Sequence, residues 1–116
     1  MGLTTHVLDL ASGRPGAGIA LTLYRLDGSR KIKEAERVTN ADGRVDEPLL
    51  QADDIQTAAY EVEFQTGEYL RQKGWTQEEP HFLETVALRV TLSAEETSYH
   101  LPLLLSPYGY QTYRGS

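Results

Sequence analysis

The sequence contains no cysteine. That absence excludes a disulfide framework, a thiolate metal site and a cysteine nucleophile, so burial and strand pairing alone must hold the fold. Basic residues are scarce too: 11 Lys and Arg stand against 17 Asp and Glu, a net charge of −6. No stretch supplies the concentrated basic face that phosphate binding needs, which argues against nucleic acid as a partner. No apolar run is long enough to cross a membrane, and neither an internal repeat nor a low-complexity tract is present. No basic start with an apolar run of signal-peptide length precedes the first strand-like segment, so the chain reads as cytoplasmic, or periplasmic if a leader has been removed. His-x-His, His-Glu-x-x-His and Gly-x-Ser-x-Gly are all missing, which leaves zinc without a third ligand at a useful spacing and removes the serine-hydrolase elbow.

What is there is a chain of 116 residues, 40% hydrophobic and 24% charged, enough for one soluble domain over residues 1–116. Gly, Pro, Asn and Asp punctuate it often, and the runs between are short and rich in Val, Ile, Leu, Thr and Tyr, the all-β pattern. Seven or eight strands are predicted: Thr4 to Leu10, Ile19 to Leu26, about Lys33 to Thr39 near an edge, a very short one at Arg44-Val45, Ala59 to Phe64, Thr85 to Leu92, Ser98 to Leu105 and Tyr108 to Arg114. The clearest alternation is that of Tyr60, Val62 and Phe64 with Glu61 and Glu63. One helix is expected from Thr66 to Gly74, with Thr66 as N-cap, Glu68 early, Lys73 late and Gly74 just past the end. Two sheets packed face to face satisfy this pattern.

Strand parity then locates candidate chemistry. Leu101, Leu103 and Leu105 share one face of their strand and belong to the core, so His100, Pro102 and Leu104 point outward. If Val7 is inward with Leu3 and Thr5, then Thr4, His6 and Leu8 point outward as well. The two histidines can meet only if their strands lie in one sheet, where Leu8, Leu104 and Pro102 beside them would form an apolar strip typical of an interface. Taken singly, each ring is also compatible with an ordinary half-exposed histidine, as is His81 in the polar loop around Pro80. Arg44, following Asp42-Gly43, is on composition a solvated turn residue, and Ser106 before Pro107 is turn chemistry.

Three segments carry the reading further: Leu3-Thr4-Thr5-His6-Val7-Leu8-Asp9, Asp42-Gly43-Arg44, and the run from Tyr99-His100-Leu101-Pro102 through Ser106-Pro107-Tyr108 to Tyr113-Arg114-Gly115-Ser116. Together they resemble the signatures of the 5-hydroxyisourate hydrolases of the transthyretin-like family. The likeness spans essentially the whole chain and is most specific in the last four residues. It implies an all-β, transthyretin-like (prealbumin) sandwich of two antiparallel-dominated sheets with one short helix. It also implies a homotetramer, a dimer of dimers with sites in a channel between outer sheet faces.

The implied activity is hydrolysis of the ring amide of 5-hydroxyisourate to 2-oxo-4-hydroxy-4-carboxy-5-ureidoimidazoline, a step of urate degradation, with no cofactor and no metal. The site residues carried over are His6, Arg44, His100 and Ser116 as catalytic groups, and His6, Arg44, Tyr113, Arg114 and Gly115 for binding. In that scheme His6 activates water, His100 orients water or returns a proton to nitrogen, and Arg44 polarises carbonyls. Tyr113 stacks on or bonds the ring, and Ser116, through hydroxyl or carboxylate, locks Arg44 or a histidine. The alternative is a transthyretin-like carrier that holds a small ligand without turning it over; the polarity of two histidines and an arginine speaks for the enzyme.

Overall fold

A computed structural model describes all 116 residues, Met1–Ser116. The strands are β1 (Gly2–Asp9), β2 (Arg14–Pro15), β3 (Ala20–Asp27), β4 (Arg30–Val38), β5 (Ala58–Phe64), β6 (Val86–Leu92), β7 (Ser98–Ser106) and β8 (Gly109–Thr112), with helix α1 (Thr66–Lys73) between β5 and β6. They form two four-stranded sheets, in the orders β2-β1-β7-β8 and β4-β3-β5-β6. Neighbours pair antiparallel except β1 and β7, which run parallel from Gly2 opposite Ser98 to Asp9 opposite Leu105. No helix is long and apolar enough to cross a membrane.

The sheets stack because each strand alternates in polarity. Leu3 and Val7 of β1 and Leu101, Leu103 and Leu105 of β7 face Leu21 and Leu23 of β3, Tyr60, Val62 and Phe64 of β5, and Val86 and Leu88 of β6, all buried. Burying each of these large apolar side chains is favourable by roughly 1.5–3 kcal/mol, the term that replaces the absent disulfides. The charged strand β4 lies at an edge, as its composition predicts, and its lysines and glutamates discourage pairing with other chains.

Several local expectations are corrected. Thr66 does not cap the helix: Gln65 holds that position without a side-chain bond, while the buried Thr66 hydroxyl donates to the Leu83 carbonyl at 2.9 Å and ties the helix to the approach of β6. Arg44-Val45 makes no strand, only a single bridge from Arg44 to His6, and a 3-10 turn at Ala52–Asp54 joins α1 as a second helical piece. β8 ends at Thr112, so Tyr113 and Arg114 leave the ladder, and the unpredicted β2 pairs with Leu8 and Asp9. His81 is only 4% exposed rather than half-exposed, and neither ring nitrogen has a hydrogen-bond partner. Gly74 behaves as expected: its φ of 68° is the left-handed conformation glycine supplies most readily, and its N–H bonds the Leu70 carbonyl at 2.9 Å.

Asp9, buried at the end of β1, fastens the helix to the first sheet. One carboxylate oxygen accepts the Tyr69 hydroxyl at 2.6 Å and the Trp75 indole N–H at 2.8 Å, and the other accepts the Ala11 amide at 2.8 Å. Desolvation pushes the carboxyl upward, but donors from Tyr69, Trp75, Ala11 and Ser12 outweigh it and hold Asp9 below the ordinary carboxylate range. The same burial and the neighbouring carboxylate push the Tyr69 phenol up. Because the folded-state pKa of Asp9 is depressed, its stabilisation is complete above the unfolded value of about 4 and fades as pH falls through the folded value. Asp9→Asn is therefore expected to cost about 2 kcal/mol at pH 7 and progressively less below about pH 4. Urea titrations followed by the single tryptophan, Trp75, measure this, and a pH-independent difference would show that the carboxylate charge is not what holds the helix.

Candidate active site

The parallel pairing of β1 with β7 places His6 opposite Pro102 and His100 opposite Thr4, so both imidazoles lie on the outer face of the first sheet, two positions out of step. A strand spacing of about 4.8 Å and a rise of about 3.3 Å per residue separate their Cα atoms by about 8 Å, room for a water or the edge of a flat ring between them. Each histidine is bridged on its outer side: His6 to Arg44 and His100 to Gly115. Four of the expected site residues thus reach one surface by main-chain pairing. A cleft of about 340 Å³ there is lined by His6, Arg44, His100, Tyr113, Gly115 and Ser116, with Leu8, Pro102 and Leu104 as its apolar floor.

Arg44 is held by a turn built around Asn40. The Asn40 side-chain oxygen accepts the amides of Asp42 at 2.9 Å and Arg44 at 3.1 Å, the Asn40 amide bonds the Arg44 carbonyl at 2.7 Å, and the Gly43 carbonyl accepts the Val7 amide at 2.8 Å. Gly43 has a φ of 74°, and a Cβ there would lie 2.4 Å from the Val7 carbonyl, which is why a glycine precedes the arginine. The Arg44 side chain is exposed and pairs with no carboxylate of the chain, leaving its donor fork to a ligand.

The end of the chain is pinned similarly. The Gly115 amide bonds the His100 carbonyl at 2.7 Å, and a Cβ on Gly115 would come within 2.6 Å of His100 Cδ2, so only glycine lets the backbone pass so close to the ring. Tyr113 is 57% exposed at the rim. Arg114 is the one expected site residue outside the cleft lining. It lies 4.4 Å over the Tyr99 ring, within 3.9 Å of Glu96, with a long 3.5 Å contact to the Ser98 carbonyl, and so anchors the segment from behind.

Two participants escaped the sequence reading. Thr4 Oγ1 is 2.8 Å from His100 Nδ1, and Asn40 organises the arginine turn. Thr4 shares its outward parity with His6, and Asn40 opens a turn sequence, so both signals were present; that Thr4 reaches His100 depends on strand register, which parity leaves open.

Desolvation, then the Arg44 charge, lowers the His6 pKa, while the backbone and carboxylate of Asp42 pull weakly the other way. Desolvation, then Arg44 and His6, lowers that of His100. Both rings are therefore neutral at neutral pH, able to accept a proton or to donate through one N–H. In an NMR titration both should titrate below about pH 6.5, and Arg44→Met should move both midpoints upward. Midpoints unmoved by that substitution would remove the arginine charge as a cause.

No third His, Cys, Asp or Glu joins the pair in a grouping able to hold a metal. The model of the HIUase/transthyretin family matches residues 3–115. A 5-hydroxyisourate hydrolase of Mesorhizobium japonicum is 52% identical over 114 residues, covering 98% of this chain and 91% of that protein. Among solved structures, (S)-allantoin synthase superposes with a TM-score of 0.91 at 38% identity over 99% of this chain, which spans 43% of that longer one. Sea bream transthyretin in complex with thyroxine superposes with a TM-score of 0.88 at 28% identity, covering 99% and 95% of the two chains. With both histidines, Arg44 and Gly115 inside the matched span, the chain belongs to the HIUase/transthyretin family.

Proposed function

We propose that residues 1–116 act as a single cytoplasmic hydrolase domain that opens the ring amide of 5-hydroxyisourate with water. The observation that carries this reading is the convergence of two histidines of lowered pKa and an unpaired arginine in one small cleft. A carrier of apolar ligands wants an apolar lining, whereas polar groups and glycine dominate here. The 52% identity to a named hydrolase, against 28% to a transthyretin, points the same way.

In the proposed reaction His6, neutral, takes a proton from water as the oxygen adds to the ring carbonyl carbon. The carbonyl oxygen takes up negative charge and is met by the Arg44 guanidinium and by an N–H of His100. When that charge collapses, the carbon–nitrogen bond breaks, and the proton held by His6 passes to the departing nitrogen. Protons balance, and no covalent enzyme intermediate forms. Tyr113 covers the ring of the substrate, Ser116 completes the polar rim that it lines with Arg44 and His100, and Gly115 keeps the backbone against His100. Arg114 contributes by holding this segment in place.

The half-buried apolar floor of Leu8 and Leu104 and the largely exposed Tyr113 support the further proposal that outer faces meet in a homotetramer, a dimer of dimers. Sedimentation equilibrium should then return a mass of four chains, and a monomer would defeat this part.

The decisive assay generates 5-hydroxyisourate from urate enzymatically and follows its ultraviolet decay with and without the protein. Acceleration is expected, and decay at the spontaneous rate would favour the carrier. His6→Asn and His100→Asn should each lower turnover about 100-fold or more. Activity should fall on the acid side through a midpoint below about pH 6.5, since protonation removes the base and the folded-state value is lowered. A flat acid limb would argue against a histidine base.

A further inference from the structure

The parallel register sets Thr4 directly across from His100, and the threonine hydroxyl lies 2.8 Å from the Nδ1 nitrogen of that ring. The only other acceptor within reach of the hydroxyl is the Tyr99 carbonyl, at 3.5 Å, well beyond the usual range for an O–H donor. A hydroxyl proton directed to Nδ1, the nearer partner, makes Nδ1 the acceptor and leaves the ring proton on Nε2. On the far edge of the ring, Gly115 packs against Cδ2 so closely that no Cβ fits. Threonine on one side and glycine backbone on the other leave the imidazole one orientation. Turning it over would set a carbon against the hydroxyl and lose the bond.

We propose that Thr4 is a positioning residue that holds His100 as the Nε2–H tautomer, with that N–H presented to the cleft. This rests on the hydrolase reading and deepens it. His100 becomes a neutral hydrogen-bond donor to the oxygen that gains charge, which leaves His6 as the proton acceptor. A hydroxyl suits this task where a carboxylate would not. An aspartate in the same place would take the proton of an Nδ1–H, reverse the tautomer and favour the imidazolium. Thr4 orients the ring without adding negative charge, in keeping with the groups that face His100: the Arg44 guanidinium and the neutral His6 ring. The chemistry thereby divides between two identical side chains, with the Thr4 hydroxyl fixing the second nitrogen of His100.

Nitrogen-15 correlation spectra of the labelled, substrate-free protein above pH 7 read the tautomer directly. Wild type should show His100 with Nε2 protonated and Nδ1 bare. Thr4→Val should give a mixture of tautomers and lower kcat at least roughly tenfold with KM within about twofold, while Thr4→Ser should restore both. Thr4→Asp should reverse the tautomer and raise the midpoint of His100. A wild-type ring protonated on Nδ1, or a Thr4→Val protein with unchanged tautomer and kcat, would overturn the proposal. Because the spectra need no substrate, a failure of the hydrolase reading leaves this test standing and is seen separately, as decay of 5-hydroxyisourate at the spontaneous rate.

Discussion

Parallel pairing of β1 with β7 is the constraint on which the rest of the molecule depends. Each strand is a two-sided object: its inner leucines and valines belong to the core, and its outer residues belong to the cleft. Register therefore serves stability and chemistry at once. A slip of one residue would turn Leu101, Leu103 and Leu105 to solvent and carry His100 inward, so the apolar burial that fixes the core also fixes where the imidazoles stand. Around this pair the other site residues are attached by single main-chain bridges, Arg44 on one flank and Gly115 on the other. The histidines are on strands, and Arg44 and Gly115 reach them from a turn and from the tail.

The electrostatics of the cleft oppose those of the chain. A protein of net charge −6 collects at this place an unpaired guanidinium and two imidazoles kept neutral by desolvation and by that same cation. Coulombic crowding keeps both rings in their neutral form, and the guanidinium stays without a carboxylate partner. Elsewhere most of the basic side chains pair with carboxylates, among them Arg71 with Glu79 and Glu84, Lys31 with Glu61 and Glu63, and Arg89 with Glu61. Arg44 takes part in none of these pairs.

Most of this was legible because period-2 patterning survives in short strands. The sandwich, the edge position of β4, the outward histidines and the helix ending at Gly74 all follow from alternation and turn chemistry. The particulars missed were those decided by distant partners. Thr66 looks like a cap from its neighbours, but burial against Leu83 gives its hydroxyl a different acceptor. His81 sits in a polar stretch and is nonetheless enclosed, because the loop folds back over it beside Glu79 and Glu84. Arg44 needed the Asn40 turn to bring it beside His6, and Thr4 needed the register to bring it beside His100. Residue types announced the chemistry, and long-range pairing decided which atoms meet.

That pairing also orders events in the life of the chain. The strands that carry the two histidines are separated by some ninety residues, so their contact closes a large loop and has no local helix or hairpin to start it. During synthesis the hairpin of β3 with β4 and its extension to β5 can form as those residues emerge, while β1 waits with its outer edge paired only to the two-residue β2 and to passing turns. The face that carries both histidines comes into existence when β7 is released. Until then β1 has an apolar face and one edge without the partner strand that covers them in the folded protein.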